Sequence, residues 1–316
     1  LRIVDIYEDI GHPKGPSKII TELIADHPDE PYYVDRLAKT YIRRRRYTDA
    51  VHKYKELLKR WPEYGDALVE YGRLMHLQRK WKDAVIHLSK GITADYPHTN
   101  QGVYFEALGD SLQRLGRRSE AIRNYEYAVA KRFFRSVYQR SYHNVDHLTG
   151  KPWWSVEEMT IPTTYRDENG ELKIITEKDF YRKLQSMSSI LKQEAQDALT
   201  KPFATHYIRD NIEYYPYYYE PNLVQEVLVI HRGLKTSTSR SCPKLRHLFE
   251  TFLPTRRCRL CNVKYVTINQ GHIWPTCGST NTILTTHLAL SVPNDVSIKV
   301  GNETRTWTEG DALIFD

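Results

Sequence analysis

A 34-residue period in the first 130 residues constrains this chain more than any other feature of its sequence. Leu37, Ala38 and Tyr41 are followed by Ala50, Tyr54, Leu57 and Pro62. A shift of 34 brings Tyr71, Gly72 and Met75, then Ala84, Leu88 and Gly91, onto equivalent places, with Pro97 one residue late. Leu108, Gly109 and Leu112, then Ala121, Tyr125 and Ala128, make a third copy. That copy is displaced by 37, which three extra residues in loop 96–102 explain. A period of this length marks a stacked helical array. Small residues let the paired helices approach closely, and larger ones fill the gaps between pairs. Neither helix of one repeat buries its apolar face alone, so the repeats must stack.

The pattern is that of tetratricopeptide helix-turn-helix units. Residues 13–24 are expected to add a helix ahead of them. At 316 residues the chain has length for two domains of roughly 100–200 residues each. Lys and Arg number 46 against 39 Asp and Glu, a formal charge of +7. These charges are mixed along the chain, and the one dense basic run, Arg43 to Arg46, reads as a solvated helix end. No nucleic-acid partner is expected from it. Apolar runs are short, which excludes a membrane span within the chain. The chain begins at Leu1, and the expectation is a fragment or processed form, with any anchor lying upstream.

After Tyr142 the pattern changes. Lys151-Pro152-Trp153-Trp154 breaks helix, and adjacent Trp residues in a loop are expected to pack at a domain junction. Residues 163–175, centred on Asn169-Gly170, read as a polar hairpin. Thr176 and Asp179 resemble a capping box. Phe180, Leu184, Met187, Leu191, Ala195 and Leu199 then recur at helical spacing, predicting one long amphipathic helix that Pro202 ends. The Tyr-rich stretch 211–222 reads as an extended loop. From Asn262 the period becomes two, and segments 263–268, 283–291, 296–300, 304–307 and 312–315 read as short strands. The last strand ends without a visible closing partner, so the sheet is expected to be cut off.

The run Cys258-Arg259-Leu260-Cys261-Asn262-Val263-Lys264-Tyr265, then His272-Ile273-Trp274-Pro275, Gly278, Thr280-Asn281 and His287-Leu288, resembles the aspartyl/asparaginyl β-hydroxylase domain. Asn302-Glu303-Thr304-Arg305-Thr306-Trp307, Glu309-Gly310 and Leu313-Ile314-Phe315-Asp316 extend the likeness. Upstream, Gly109-Asp110, Gln113-Arg114, Val137-Tyr138-Gln139-Arg140-Ser141 and Pro152-Trp153-Trp154 are similar to the tetratricopeptide-to-catalytic junction of long family members. The expected fold is therefore α+β in two domains. An α-helical tetratricopeptide-repeat solenoid (1–142) leads through a junction, insertion and long helix (143–235) to an incomplete double-stranded β-helix, or jelly roll (236–316).

The resemblance implies Fe(II), 2-oxoglutarate and O₂ as partners in hydroxylating Asp or Asn of epidermal-growth-factor-like domains. It implies a setting in the lumen of the endoplasmic reticulum, behind a membrane anchor. The family's first iron-binding His falls on Thr276, a neutral hydroxyl that is a poor ligand for Fe(II). A cosubstrate-binding Arg falls on Thr285, which loses a charge-assisted contact. His287 matches a 2-oxoglutarate-contacting His. The second iron His and a second Arg would lie beyond Asp316. Lys264, Tyr265 and Trp274 are expected to line the substrate groove. His272 and Cys277 lie near the metal position without occupying it. In an oxidising lumen, disulfides are expected among Cys242, Cys258, Cys261 and Cys277, with connectivity open. Asn302-Glu303-Thr304 is a glycosylation sequon. The leading expectation is a family member with an impaired or lost oxygenase site that binds a peptide or protein. The rivals are an active hydroxylase and a repeat adaptor or structural subunit.

Overall fold

The structure is a computed structural model. It describes residues 2–10, 15–96, 98–148, 150–166, 169–201, 205–206, 224–252, 255, 258–269, 275–278 and 280–316. The Tyr-rich loop, His272 and Trp274 lie outside the described residues. The chain forms two compact units. Leu1–Tyr142 and Pro275–Cys277 belong to one, while His143–Asp210 and Gly278–Asp316 belong to the other with most of the intervening chain.

The first unit is helical. α1 (Arg2–Asp9) and α2 (Gly15–Asp26) precede three helix pairs: α3 (Pro31–Arg43) with α4 (Tyr47–Arg60), α5 (Gly65–Leu77) with α6 (Trp81–Thr93), and α7 (Gly102–Arg114) with α8 (Arg118–Ala130). The small repeat residues sit where the helices touch. Ala50, Ala84 and Ala128 are fully buried. A Cβ on Gly72 would lie 2.7 Å from Leu88 Cγ, and one on Gly109 would lie 2.1 Å from the Tyr125 ring. At both places only glycine permits the observed approach. Each inner helix ends on a residue with positive φ: Arg45 (58°), Arg79 (59°) and Gly116 (75°). The third copy thus uses the residue suited to the left-handed turn, and the first two place arginine there.

The second unit carries the strands. β1 (Trp153–Trp154) is followed by the hairpin β2 (Pro162–Arg166) and β3 (Leu172–Thr176), α9 (Glu177–Ser186) and α10 (Ser188–Leu199). Then come β4 (Thr205–His206), β5 (Val224–His231), β6 (Leu234–Lys235), α11 (Pro243–Thr251), β7 (Val263–Ile268), β8 (Thr285–Leu288), β9 (Ser297–Val300), β10 (Glu303–Thr306) and β11 (Ala312–Phe315). β5 pairs with β4, β6 and β7, β9 with β10, and β11 lies between β1 and β8, all antiparallel. The helices and sheets enclose a core of Phe180, Leu191, Ala195, Val227, Val229, Cys242, Leu248 and Tyr265.

Four expectations change here. The capping box at Thr176 and Asp179 is present, but the single long helix is two, broken at Met187. Ser186 and Ser188 flank that break, and the Ser186 hydroxyl donates to the Lys183 carbonyl at 2.7 Å, a local bond that competes with helix continuation. The Trp pair is a strand rather than a loop, with Trp153 opposite Phe315 and 5% exposed. That pairing gives the last strand a neighbour on both sides. β5, the longest strand among the described residues, lies within 143–235, where a junction is expected, yet it pairs with β7.

Candidate functional site

The β unit presents one face to its helices and another away from them. On β8, the Thr286 hydroxyl lies 3.2 Å from Tyr181 Oη on α9, and Leu288 packs into the helix-side core. Successive side chains of a strand point to opposite faces, so Thr285 and His287 face away. The same alternation divides β5 and β7. Val227 and Tyr265 lie opposite each other in the helix-side core, leaving Glu226 and Lys264 on the other face.

On that second face Glu226 and Lys264 are diagonal neighbours across the β5–β7 ladder. Lys264 Nζ donates to Glu226 Oε2 at 2.6 Å. Glu226 is 3% exposed, whereas the Lys264 side chain is 37% exposed. His287 is half-buried. Its ring stacks at 6.0 Å on Trp307 and meets Phe315 edge-on at 4.8 Å. Burial, reinforced by the nearby Lys264 charge, pushes the imidazole pKa down to about 4, so it is neutral at physiological pH. The face is thus an aromatic and imidazole surface next to a self-neutralised ion pair. Glu226 was not among the residues singled out from sequence. Its signal was a lone carboxylate, beside Gln225, in the otherwise apolar run Val224-Gln225-Glu226-Val227-Leu228-Val229-Ile230.

Tyr265 does not line the same face as Lys264. It is 5% exposed, and its hydroxyl donates to Glu194 Oε1 at 2.8 Å. Glu194 also accepts the backbone N–H groups of Lys244 (2.5 Å) and Leu245 (3.0 Å), which are orphan donors at the start of α11. Burial and that hydrogen bond to the Glu194 carboxylate push the tyrosine pKa far above its ordinary value. Its role is to pin β7 to α10.

Thr276 is exposed, and Thr285 is exposed on β8. In the helical unit the backbone N–H of Arg140 donates to Cys277 Sγ at 3.2 Å. Arg140 itself is 7% exposed, paired with Glu106 at 2.8 Å and lying over the Tyr125 ring at 4.4 Å. None of the four cysteines forms a disulfide. Cys242 is sealed in the core, where burial pushes its thiol pKa up to about 12. Cys258 is exposed, and Cys261 Sγ donates to the Cys258 carbonyl at 3.3 Å. Asn302 lies exposed in the β9–β10 turn.

Other motif residues are structural. The Asn281 side chain bridges the N–H and carbonyl of Val145, both at 2.9 Å. Glu309 accepts from Lys192 on α10 (2.8 Å) and from the Val292 N–H (3.0 Å), and Gly310 turns at φ 87°. In the repeats, charges on the inner helices are satisfied by one another: Lys39 lies 2.7 Å from Asp35 and 3.4 Å from Asp66, and Arg73 pairs with Glu70 at 3.0 Å.

Fe(II) requires imidazole or carboxylate ligands, and 2-oxoglutarate requires cations. Thr276 and Thr285 offer neutral hydroxyls, and the Lys264 cation is already paired with Glu226. Among the described residues no three His, Cys, Asp or Glu side chains gather at one point. This donor set does not fit the two groups in the family manner.

Residues 204–316 match the family profile of the aspartyl/asparaginyl β-hydroxylases, and residues 36–97 match that of a tetratricopeptide repeat. The aspartyl/asparaginyl β-hydroxylase of Mus musculus is 29% identical over 310 residues, 97% of this chain. That of Homo sapiens is 29% identical over 315 residues, 99% of this chain. The chain spans 39% of the length of each. Among solved structures, a crystal structure of the MamA protein is similar over 44% of this chain and 75% of its own, at 21% identity and a TM-score of 0.39. With the repeats leading into the matched sheet domain, the chain is similar along nearly its whole length to the aspartyl/asparaginyl β-hydroxylases.

Proposed function

We infer that this chain is a homologue with an impaired or lost oxygenase site, acting as a peptide- or protein-binding module in the lumen of the endoplasmic reticulum. The reading is carried by two exposed threonines, Thr276 and Thr285, which the sequence resemblance sets against the family's first iron ligand and a cosubstrate arginine. A hydroxyl neither replaces imidazole on Fe(II) nor supplies the bidentate cation that a carboxylate prefers. The stacked repeats support the binding half of the reading, because such arrays present extended surfaces to other chains. An epidermal-growth-factor-like domain is the partner class the family suggests.

The test is 2-oxoglutarate turnover by the full-length protein with Fe(II) and O₂. The reading expects no succinate above the level of a chelated control. Succinate production that chelation abolishes would establish the rival reading, an active hydroxylase with other ligands. Capture of an epidermal-growth-factor-like domain without turnover would meet both halves of the proposal.

A further inference from the structure

Lys264 and Glu226 are unequal partners. Glu226 is almost completely buried, and burying a carboxylate without a counter-charge is costly. Lys264 is more than a third exposed and retains access to water. Removing the lysine therefore strands a buried anion, while removing the carboxylate frees a cation that is partly solvated already. The freed cation would sit close enough to His287 to bear on its protonation. His287 in turn stands against the Trp307 and Phe315 rings, and the neutral Thr285 hydroxyl shares its face of β8. A flexible ammonium near a neutral imidazole that is itself walled by aromatic rings is a setting for a small carboxylate.

We propose that Glu226 is a built-in carboxylate that occupies the anion subsite of Lys264 and so sets the specificity of this face. With Glu226 in place the face turns away small dicarboxylates and receives neutral, apolar or aromatic groups of a peptide. Val266 and Ile268, which share the face with Lys264 by strand alternation and are 39% and 44% exposed, supply apolar surface for them. The proposal rests on the reading that this domain no longer handles 2-oxoglutarate in the family manner, but it concerns binding by this chain's own residues, without metal.

The test is calorimetric titration of succinate, under chelation, into the 316-residue chain and its variants. Glu226→Gln, nearly isosteric, should bind succinate at least tenfold more tightly than the parent chain. Adding Lys264→Met to that variant should abolish the gain. Glu226→Gln binding no better than the parent, or a gain that survives loss of Lys264, would overturn the proposal. A second readout needs no ligand. Lys264→Met alone should lower the melting temperature more than the Glu226→Gln, Lys264→Met double variant does, because only the single variant strands the buried anion. Equal or reversed shifts would also overturn it. Should Glu226→Gln fail to fold, Glu226→Met replaces it in both measurements. The two proposals fail separately. Chelator-sensitive succinate production by the full-length parent defeats the functional reading, whereas an unchanged succinate affinity in Glu226→Gln defeats this one alone.

Discussion

Glu194 accepts three hydrogen bonds at once, from the Tyr265 hydroxyl and from two backbone donors of α11, while only 7% exposed. Removing it takes the acceptor from three donors, two of them buried. Hydrogen bonds to a charged acceptor are worth about 1.5–3 kcal/mol each, and they are not additive. Glu194→Ala should therefore cost about 3 kcal/mol, and Glu194→Gln less, read as a shift in urea midpoint followed by tyrosine fluorescence. His287 supplies a pH dependence. Its folded pKa of about 4 lies below the ordinary 6.5, so the unfolded chain binds the proton more strongly between those values. Stability from this group is present above pH 6.5 and is lost as pH falls toward 4, on the order of 1 kcal/mol at pH 5.5. Replacing it by Gln should flatten that slope in thermal melts taken between pH 7 and 5. His76, buried in the repeats and pushed down to about 3, titrates in the same direction, so part of the slope will remain.

At the scale of elements, the repeats depend on small residues where helices meet. Ala84 is fully buried, and a Cβ on Gly72 would touch the Ala84 carbonyl at 3.3 Å as well as Leu88. Ala84→Leu should destabilise the array by about 1–3 kcal/mol through overpacking. The left-handed turns allow a change of opposite sign. A non-glycine residue in that conformation costs about 1 kcal/mol or more, as at Arg79 with φ 59°. Arg79→Gly should raise the thermal midpoint by a degree or two, because the relief of strain outweighs the entropy that glycine loses on folding. Much of this level was legible in advance. The 34-residue period located three helix pairs, and period-two patterning located β7 to β11. β5 escaped because both its faces are largely buried and its run of apolar residues does not alternate. The break at Met187 escaped because apolar spacing continues through it.

For the whole molecule, the cores of the two units share no residue. A substitution in one should stay local. Ala84→Leu is expected to lower hydrogen-exchange protection across α5 to α8 while leaving the β5–β7 amides unchanged. What the sequence determined by itself was the periodicity of each segment and its family likeness, because both are carried by residues close together in the chain. It therefore foretold stacked helices followed by short strands. Only the tertiary structure decided which distant groups meet. It set Lys264 on Glu226 across 38 residues, Tyr265 on Glu194 across 71, and Trp153 opposite Phe315. Periodicity tells which residues of a strand share a face, but strand partners and register are chosen by packing over the whole core. A shift of one residue in β7 would exchange the faces of Lys264 and Tyr265, and no local pattern in the chain records that choice.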